Sequence, residues 1–221
     1  MVPLTINADD FGMSNVFNDF IIELLVNERM ISTTVMVKRI SKAQKLRIQH
    51  LRFIKETLDI SEGLQVEFTH DQHLEQIQDQ YRKFIDLFES APSHMDVHKE
   101  HLHTKYHGLV GNFCKSENLP FKNHGKKFPV LATTSKKYFN GSINGFGPIY
   151  KWLNNLEDGQ FFELVCHPER YYPHCYFSLN AQCNWDLDHI DKINPNLKKY
   201  SIEPISFNYL NNSKTTQVKQ G

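Results

Sequence analysis

Apolar residues follow two rhythms along the chain: short β-branched runs, and longer stretches with an apolar side chain every three or four positions. Val2 to Ile6 opens as a strand and leads into Asn7-Ala8-Asp9-Asp10-Phe11-Gly12. After Ser14, Val16, Phe17, Phe20, Ile21, Leu24 and Leu25 share one face of a helix. Ile31 to Val37 reads as a second strand, and Lys42 to Leu58 as a helix with Leu46, Leu51, Ile54 and Leu58 at helical spacing. Gly63 opens a third strand, Leu64 to Phe68. An amphipathic helix follows, with Leu74, Ile77, Tyr81, Phe84, Ile85 and Phe88 along one side, and it stops before Ala91-Pro92. Ser93 to His98 predicts a fourth strand, Lys105 to Lys115 a helix, and Pro120 to Asn123 a short fifth strand. Ile149 to Leu156 predicts a helix with Trp152 inward, Phe161 to Cys166 a buried strand, and Glu203 to Phe207 a last one.

About seven strands separated by helices imply an α/β fold with a mainly parallel sheet and right-handed connections. A (β/α) barrel of fewer than eight units and a doubly wound sheet both fit this order. No glycine-rich phosphate fingerprint follows the first strand, which counts against nucleotide binding. Residues 1–210 read as a single domain. The polar tail, 211–221, has no apolar period and reads as disordered. The stretch from Gly125 to Gly147, with Gly141 and Gly145, reads as a long lid or binding loop.

Composition changes this picture little. With 221 residues, 40% hydrophobic content and zero formal net charge, the chain has enough for a full core and no field to attract nucleic acid or an anionic membrane. Cys114, Cys166, Cys175 and Cys183 form no CxxC pair, and the first strand leaves no room for a signal peptide. These features predict a cytoplasmic protein with reduced thiols. The 12 histidines gain meaning only from their placement.

Several polar residues fall at or near strand ends: Asp9 and Asp10 after strand one, Gln65 and Glu67 on strand three, His94, Asp96 and His98 on strand four, and His167 after the sixth strand. Aspartate is a common turn and cap residue, so the first pair alone proves nothing. Side chains alternate along a strand, so His94, Asp96 and His98 share a face. In a parallel sheet all these strand ends gather at one rim, where an oxygen- and nitrogen-ligated divalent cation could sit. For His94 and Asp96 a buried hydrogen-bonded pair fits as well as a ligand role. His98 is the stronger ligand candidate; His101 and His103 read first as exposed-loop residues, with access to substrate as the secondary reading.

NADDFGMS (Asn7 to Ser14), ISTTVMV (Ile31 to Val37), QYRKFIDLFESAPSHMDVH (Gln80 to His98), FNG (Phe139 to Gly141) and ELVCHPE (Glu163 to Glu169) occur in an order that resembles the YdjC-like family of carbohydrate deacetylases, which includes chitooligosaccharide deacetylases. The resemblance implies a distorted (β/α) barrel that removes acetyl groups from a small N-acetylated saccharide with a divalent cation. It implies Asp10 and His98 as metal ligands, Asp9 as catalytic base, and His167 as acid or oxyanion stabiliser. It leaves a homodimer open.

The chain departs from that pattern at Gln65, which stands where the family has a third ligand, a histidine. A neutral amide oxygen is a weaker and harder donor than imidazole. Glu67, two residues on, is the candidate substitute, and either oxygen favours Mg²⁺ ahead of Mn²⁺ or Zn²⁺. The segment Thr69 to His73 is short, the histidine run after Asp96 is one residue longer, and Asn196 to Phe207 is compressed. A catalytically silent homologue that binds a sugar or a protein partner is the alternative reading.

Overall fold

The first strand, β1 (Val2–Phe11), is buried along nearly its whole length, as a central parallel strand covered on both faces should be. The computed structural model describes residues 1–69, 73–122, 137–140, 149–156, 161–168 and 180–210. After β1 come α1 (Asn15–Val26), β2 (Ser32–Val35), α2 (Lys45–Thr57), β3 (Ser61–Val66), α3 (His73–Phe88), β4 (Met95–Val97) and α4 (Glu100–Ser116). Then follow β5 (Lys137–Asn140), α5 (Ile149–Asn154), β6 (Phe162–Cys166), α6 (Asn180–Ile193) and β7 (Ile202–Pro204).

Among the described residues all strand pairings are parallel, in the order β4-β3-β2-β1-β6-β5, so the continuous path holds six strands, where about seven were expected. The remaining strand, β7, lies off the path against Val2 to Leu4. The expected fifth strand at Pro120 to Asn123 is reduced to one bridge, Phe121 to Met95, within the described residues. β5 lies instead inside the stretch read as a long loop, the rest of which falls outside the described residues, as does the tail.

The sheet curls into a distorted (β/α) barrel, and two side-chain contacts prove the curl. Three pairings separate β1 from β4, roughly 14 Å in a flat sheet. Yet the Lys122 amine lies 2.9 Å from Asp9 on β1 and 2.8 Å from Asp96 on β4. Both ends of that path therefore face a common interior.

The helices form where apolar spacing and caps agree. Ser14 caps α1 by accepting from the Phe17 N–H, and Phe17, Phe20, Ile21, Leu24 and Leu25 are buried beneath it. Val16, Leu46 and Leu74, expected on buried faces, are instead exposed; each is the second residue of its helix. α6 and the 3-10 turn Asn194–Tyr200 were not predicted; Ile190, Ile193 and Leu197 carry their buried side. Cys114 and Cys166 are buried free thiols. No described helix is long and apolar enough to cross a membrane.

Candidate active site

In a regular strand, consecutive side chains point to opposite faces, so Asp9 and Asp10 should not share a site. The pairing of β1 with β2 resolves this. Ala8 pairs with Thr33 and Phe11 with Val35, so β1 carries one extra residue, a bulge at the two aspartates. Asp10 takes up the irregularity with φ +71°, a left-handed conformation that aspartate tolerates better than most residues. Gly12, at φ +113°, then turns the chain toward α1; a Cβ there would lie 2.9 Å from the Met36 carbonyl. Strain of this kind concentrates at functional sites.

The bulge brings together residues that are distant in sequence. His98 Nδ1 lies 3.3 Å from Asp10 Oδ1, and His167 Nε2 lies 3.9 Å from Asp9 Oδ2 and 3.9 Å from Asp10 Oδ2. Gln65 also hydrogen-bonds Asp10. Burial pushes the Asp10 carboxyl up, but His98, His167 and Gln65 together outweigh it and hold it below the usual carboxylate range. His167 follows β6 and is fixed by its backbone N–H, which donates to Asp186 Oδ2 on α6 at 2.8 Å.

Asp9 has a different environment. Its Oδ1 accepts from Asn7 Nδ2 at 2.6 Å, Thr34 Oγ1 at 2.7 Å and Lys122 Nζ at 2.9 Å. Lys122 is fully buried and also reaches Asp96 Oδ2 at 2.8 Å and Glu163 Oε1 at 3.0 Å. Burial alone would depress this ammonium; Asp9, Asp96 and Glu163 outweigh that and hold it well above the ordinary lysine value. Sequence reasoning passed over Lys122 and Glu163. Lys122 is the next-to-last residue of the expected fifth strand, Pro120 to Asn123, so a rule that took residues at or near strand ends would have included it.

The remaining candidates divide. His94 and Asp96 make no pair with each other: His94 Nδ1 meets Ser93 Oγ at 2.9 Å, while Asp96 meets Lys122. Glu67 Oε1 accepts from Arg39 Nε at 2.9 Å, its Oε2 is buried without a hydrogen-bond partner among the described residues, and it is not among the groups that shift the Asp10 carboxyl. His101 and His103 lie on α4 and not on a loop. His101 is exposed, whereas His103 is fully buried with Nε2 2.9 Å from the Lys122 carbonyl, so His103 supports the Lys122 backbone instead of facing a substrate.

A cation has a place here. Among the described residues no three His, Cys, Asp or Glu side chains gather as a ready-made cage. Asp10 and His98 supply two donors, and the third position is Gln65, whose Oε1 is buried and accepts no hydrogen bond. A buried orphan oxygen beside a carboxylate and an imidazole suits a divalent ion. Charge argues the same way, because among the described residues the buried carboxylates of Asp9, Asp10, Asp96 and Glu163 face a single buried ammonium, that of Lys122. A separate cavity of about 620 Å³, lined by Arg29, Leu58, Asp59, Asn194 and Pro204, contains none of these groups.

No family model matches the chain. It is 23% identical over 204 residues to a carbohydrate deacetylase of Clostridium beijerinckii, covering 75% of this chain and 80% of that protein. Its fold is similar to that of an Enterococcus faecalis V583 protein described as a cellobiose-phosphate cleavage protein, with TM-score 0.66, 16% identity, and 95% of this chain and 98% of the other covered. It is also similar to that of a family 4 acetyl xylan esterase from Clostridium thermocellum in complex with a cobalt ion, with TM-score 0.52, 14% identity, and 96% and 92% covered.

Proposed function

We infer that the chain is a metal-dependent hydrolase of the YdjC-like carbohydrate deacetylase family, which removes an acetyl group from a small N-acetylated saccharide of the chitooligosaccharide kind. One observation carries the reading: Asp10 on β1 lies 3.3 Å from His98 after β4 and 3.9 Å from His167 after β6, and Asp9 lies 3.9 Å from the same His167, so four residues distant in sequence form one chain of contacts. The named deacetylase relative supports the reaction type, and the cobalt ion in the esterase supports a divalent cation.

Asp10, His98 and the Gln65 oxygen would hold the ion. Two oxygens and one nitrogen suit Mg²⁺ ahead of Mn²⁺ or Zn²⁺. When bound, such an ion makes water more acidic and polarises an acetyl carbonyl. Asp9 is the base that takes the proton of the attacking water, and His167 returns a proton to the departing sugar amine. The two aspartates divide their work by contact: Asp10 is held ionised among His98, His167 and Gln65, while Asp9 keeps one oxygen toward His167.

Acetate release from diacetylchitobiose with added Mg²⁺, Mn²⁺, Zn²⁺ or Co²⁺ tests the proposal. Release is expected with at least one ion, and Asp9→Asn should lower kcat by about 100-fold or more. Gln65 motivates the second reading, a silent sugar-binding homologue. Saccharide binding without acetate release under any ion would establish that alternative.

A further inference from the structure

We infer that Lys122 is a positioning residue, whose ammonium pins Oδ1 of Asp9 so that Oδ2 alone is presented to the reacting water. This rests on the reading of Asp9 as the base. A carboxylate oxygen has about two lone pairs, and Asp9 Oδ1 already receives three donors, from Asn7, Thr34 and Lys122. Among the described residues no hydrogen bond reaches Oδ2, which faces His167 Nε2 at 3.9 Å. The two oxygens are therefore not equivalent: one is anchored and the other is left to act.

Lys122 is the anchor that crosses the barrel. Asn7 and Thr34 belong to β1 and β2 and tie Asp9 only to its own side of the sheet. The lysine enters from the segment after α4, and its amine is triangulated by Asp9 on β1, Asp96 on β4 and Glu163 on β6. Its backbone is clamped as well, with its N–H donating to the Met95 carbonyl at 2.9 Å and its own carbonyl meeting His103. An ammonium held by three carboxylates and two backbone bonds has little freedom to swing. Stability alone is a poor reason for such a group, since apolar residues of similar volume generally serve a core as well as a buried ion cluster does. Fixing a reacting carboxylate is a better one, because a displacement near 1 Å can cost about 100-fold in rate.

The test is the full-length Lys122→Met/Glu163→Gln double variant, which removes one positive and one negative charge together. For diacetylchitobiose, kcat should fall about 100-fold, while KM and the Mn²⁺ Kd from calorimetry stay within about threefold. In an Asp9→Asn background the same pair of substitutions should cost less than about threefold, because the group being positioned is already gone. A loss confined to KM or to Mn²⁺ affinity, or an equal kcat loss in both backgrounds, overturns the inference. Undiminished turnover by Asp9→Asn alone would remove the base reading, a different failure. A crystal structure of the double variant decides independently of turnover: Asp9 should rotate off Thr34, and an unmoved carboxylate overturns the inference. If the double variant does not fold, Lys122→Arg takes its place, with lowered kcat at unchanged KM expected and unchanged kcat overturning.

Discussion

Asp10 and His98 are 88 positions apart in the chain and three strand pairings apart in the sheet, yet His98 Nδ1 stands 3.3 Å from Asp10 Oδ1. Only a curled sheet allows this, and only the bulge in β1 turns Asp10 inward beside Asp9. If these two groups and Gln65 hold a cation, the amide sets its identity. Gln65→His should tighten Co²⁺ or Zn²⁺ by about tenfold or more while leaving Mg²⁺ no tighter, since imidazole suits the softer ions. Calorimetry and the visible absorption of bound Co²⁺ would measure it. Glu67→Ala should leave these affinities unchanged, because the groups that act on the Asp10 carboxyl are His98, His167 and Gln65, and Glu67 pairs through Oε1 with Arg39.

At Gly63 the barrel interior is filled by a neighbour. A Cβ built there would lie 2.4 Å from the His94 ring, which is fully buried and stacked on Phe207 at 3.7 Å between centroids. Gly63→Ala should therefore destabilise the fold by about 1–3 kcal/mol, the usual cost of overpacking. Urea unfolding would show it as a lower midpoint at unchanged slope. Adding His94→Ala should recover part of the loss, because the double variant removes the clash.

His94 also makes the fold sensitive to pH. Ser93 Oγ donates to the Glu62 carbonyl at 2.8 Å, so His94 Nδ1 must carry a proton to donate to that hydroxyl, leaving Nε2 bare. Burial, aided by the Lys122 charge and opposed by Asp96, holds His94 well below the ordinary histidine value of 6.5. The unfolded chain then binds a proton that the folded chain refuses. The stability of the neutral form is complete above pH 6.5 and drains as pH falls below it, by up to about 1.4 kcal/mol per unit for one proton. Thermal unfolding between pH 8 and pH 5 should show this fall. His94→Phe, which keeps a ring against Phe207, should flatten it; an unchanged slope in that variant would clear His94.

Much of this was legible in the sequence because it depended on period and position. Apolar spacing located α1 and α3, and strand ends selected Asp9, Asp10, His98 and His167, which the fold brings together. The bulge that lets Asp9 and Asp10 face inward together was not legible, because it depends on the register against β2 and leaves no compositional trace. Lys122 was missed for a related reason: a lone lysine in Pro120-Phe121-Lys122 looks like an ordinary exposed cation until the curl surrounds it with three acids. His103 was misplaced because α4 begins at Glu100, earlier than its apolar spacing suggested, and carries the ring inward.

Asp186 anchors the last member of the site. It is fully buried on α6, and its Oδ2 accepts the His167 backbone N–H at 2.8 Å, fixing the chain just where β6 ends and the histidine must face Asp9. Asp186→Ala leaves that donor buried without this acceptor, at a cost of about 1–3 kcal/mol. The same change frees His167 to drift, so kcat for acetate release should fall about 10-fold to 100-fold while Mn²⁺ affinity holds, since the contact being removed is to the backbone of His167 and not to Asp10, His98 or Gln65. Asp186→Asn keeps an oxygen acceptor and should recover most of both losses. Stability lost without any change in kcat would show that Asp186 supports the fold alone, and that His167 is held in place by other contacts.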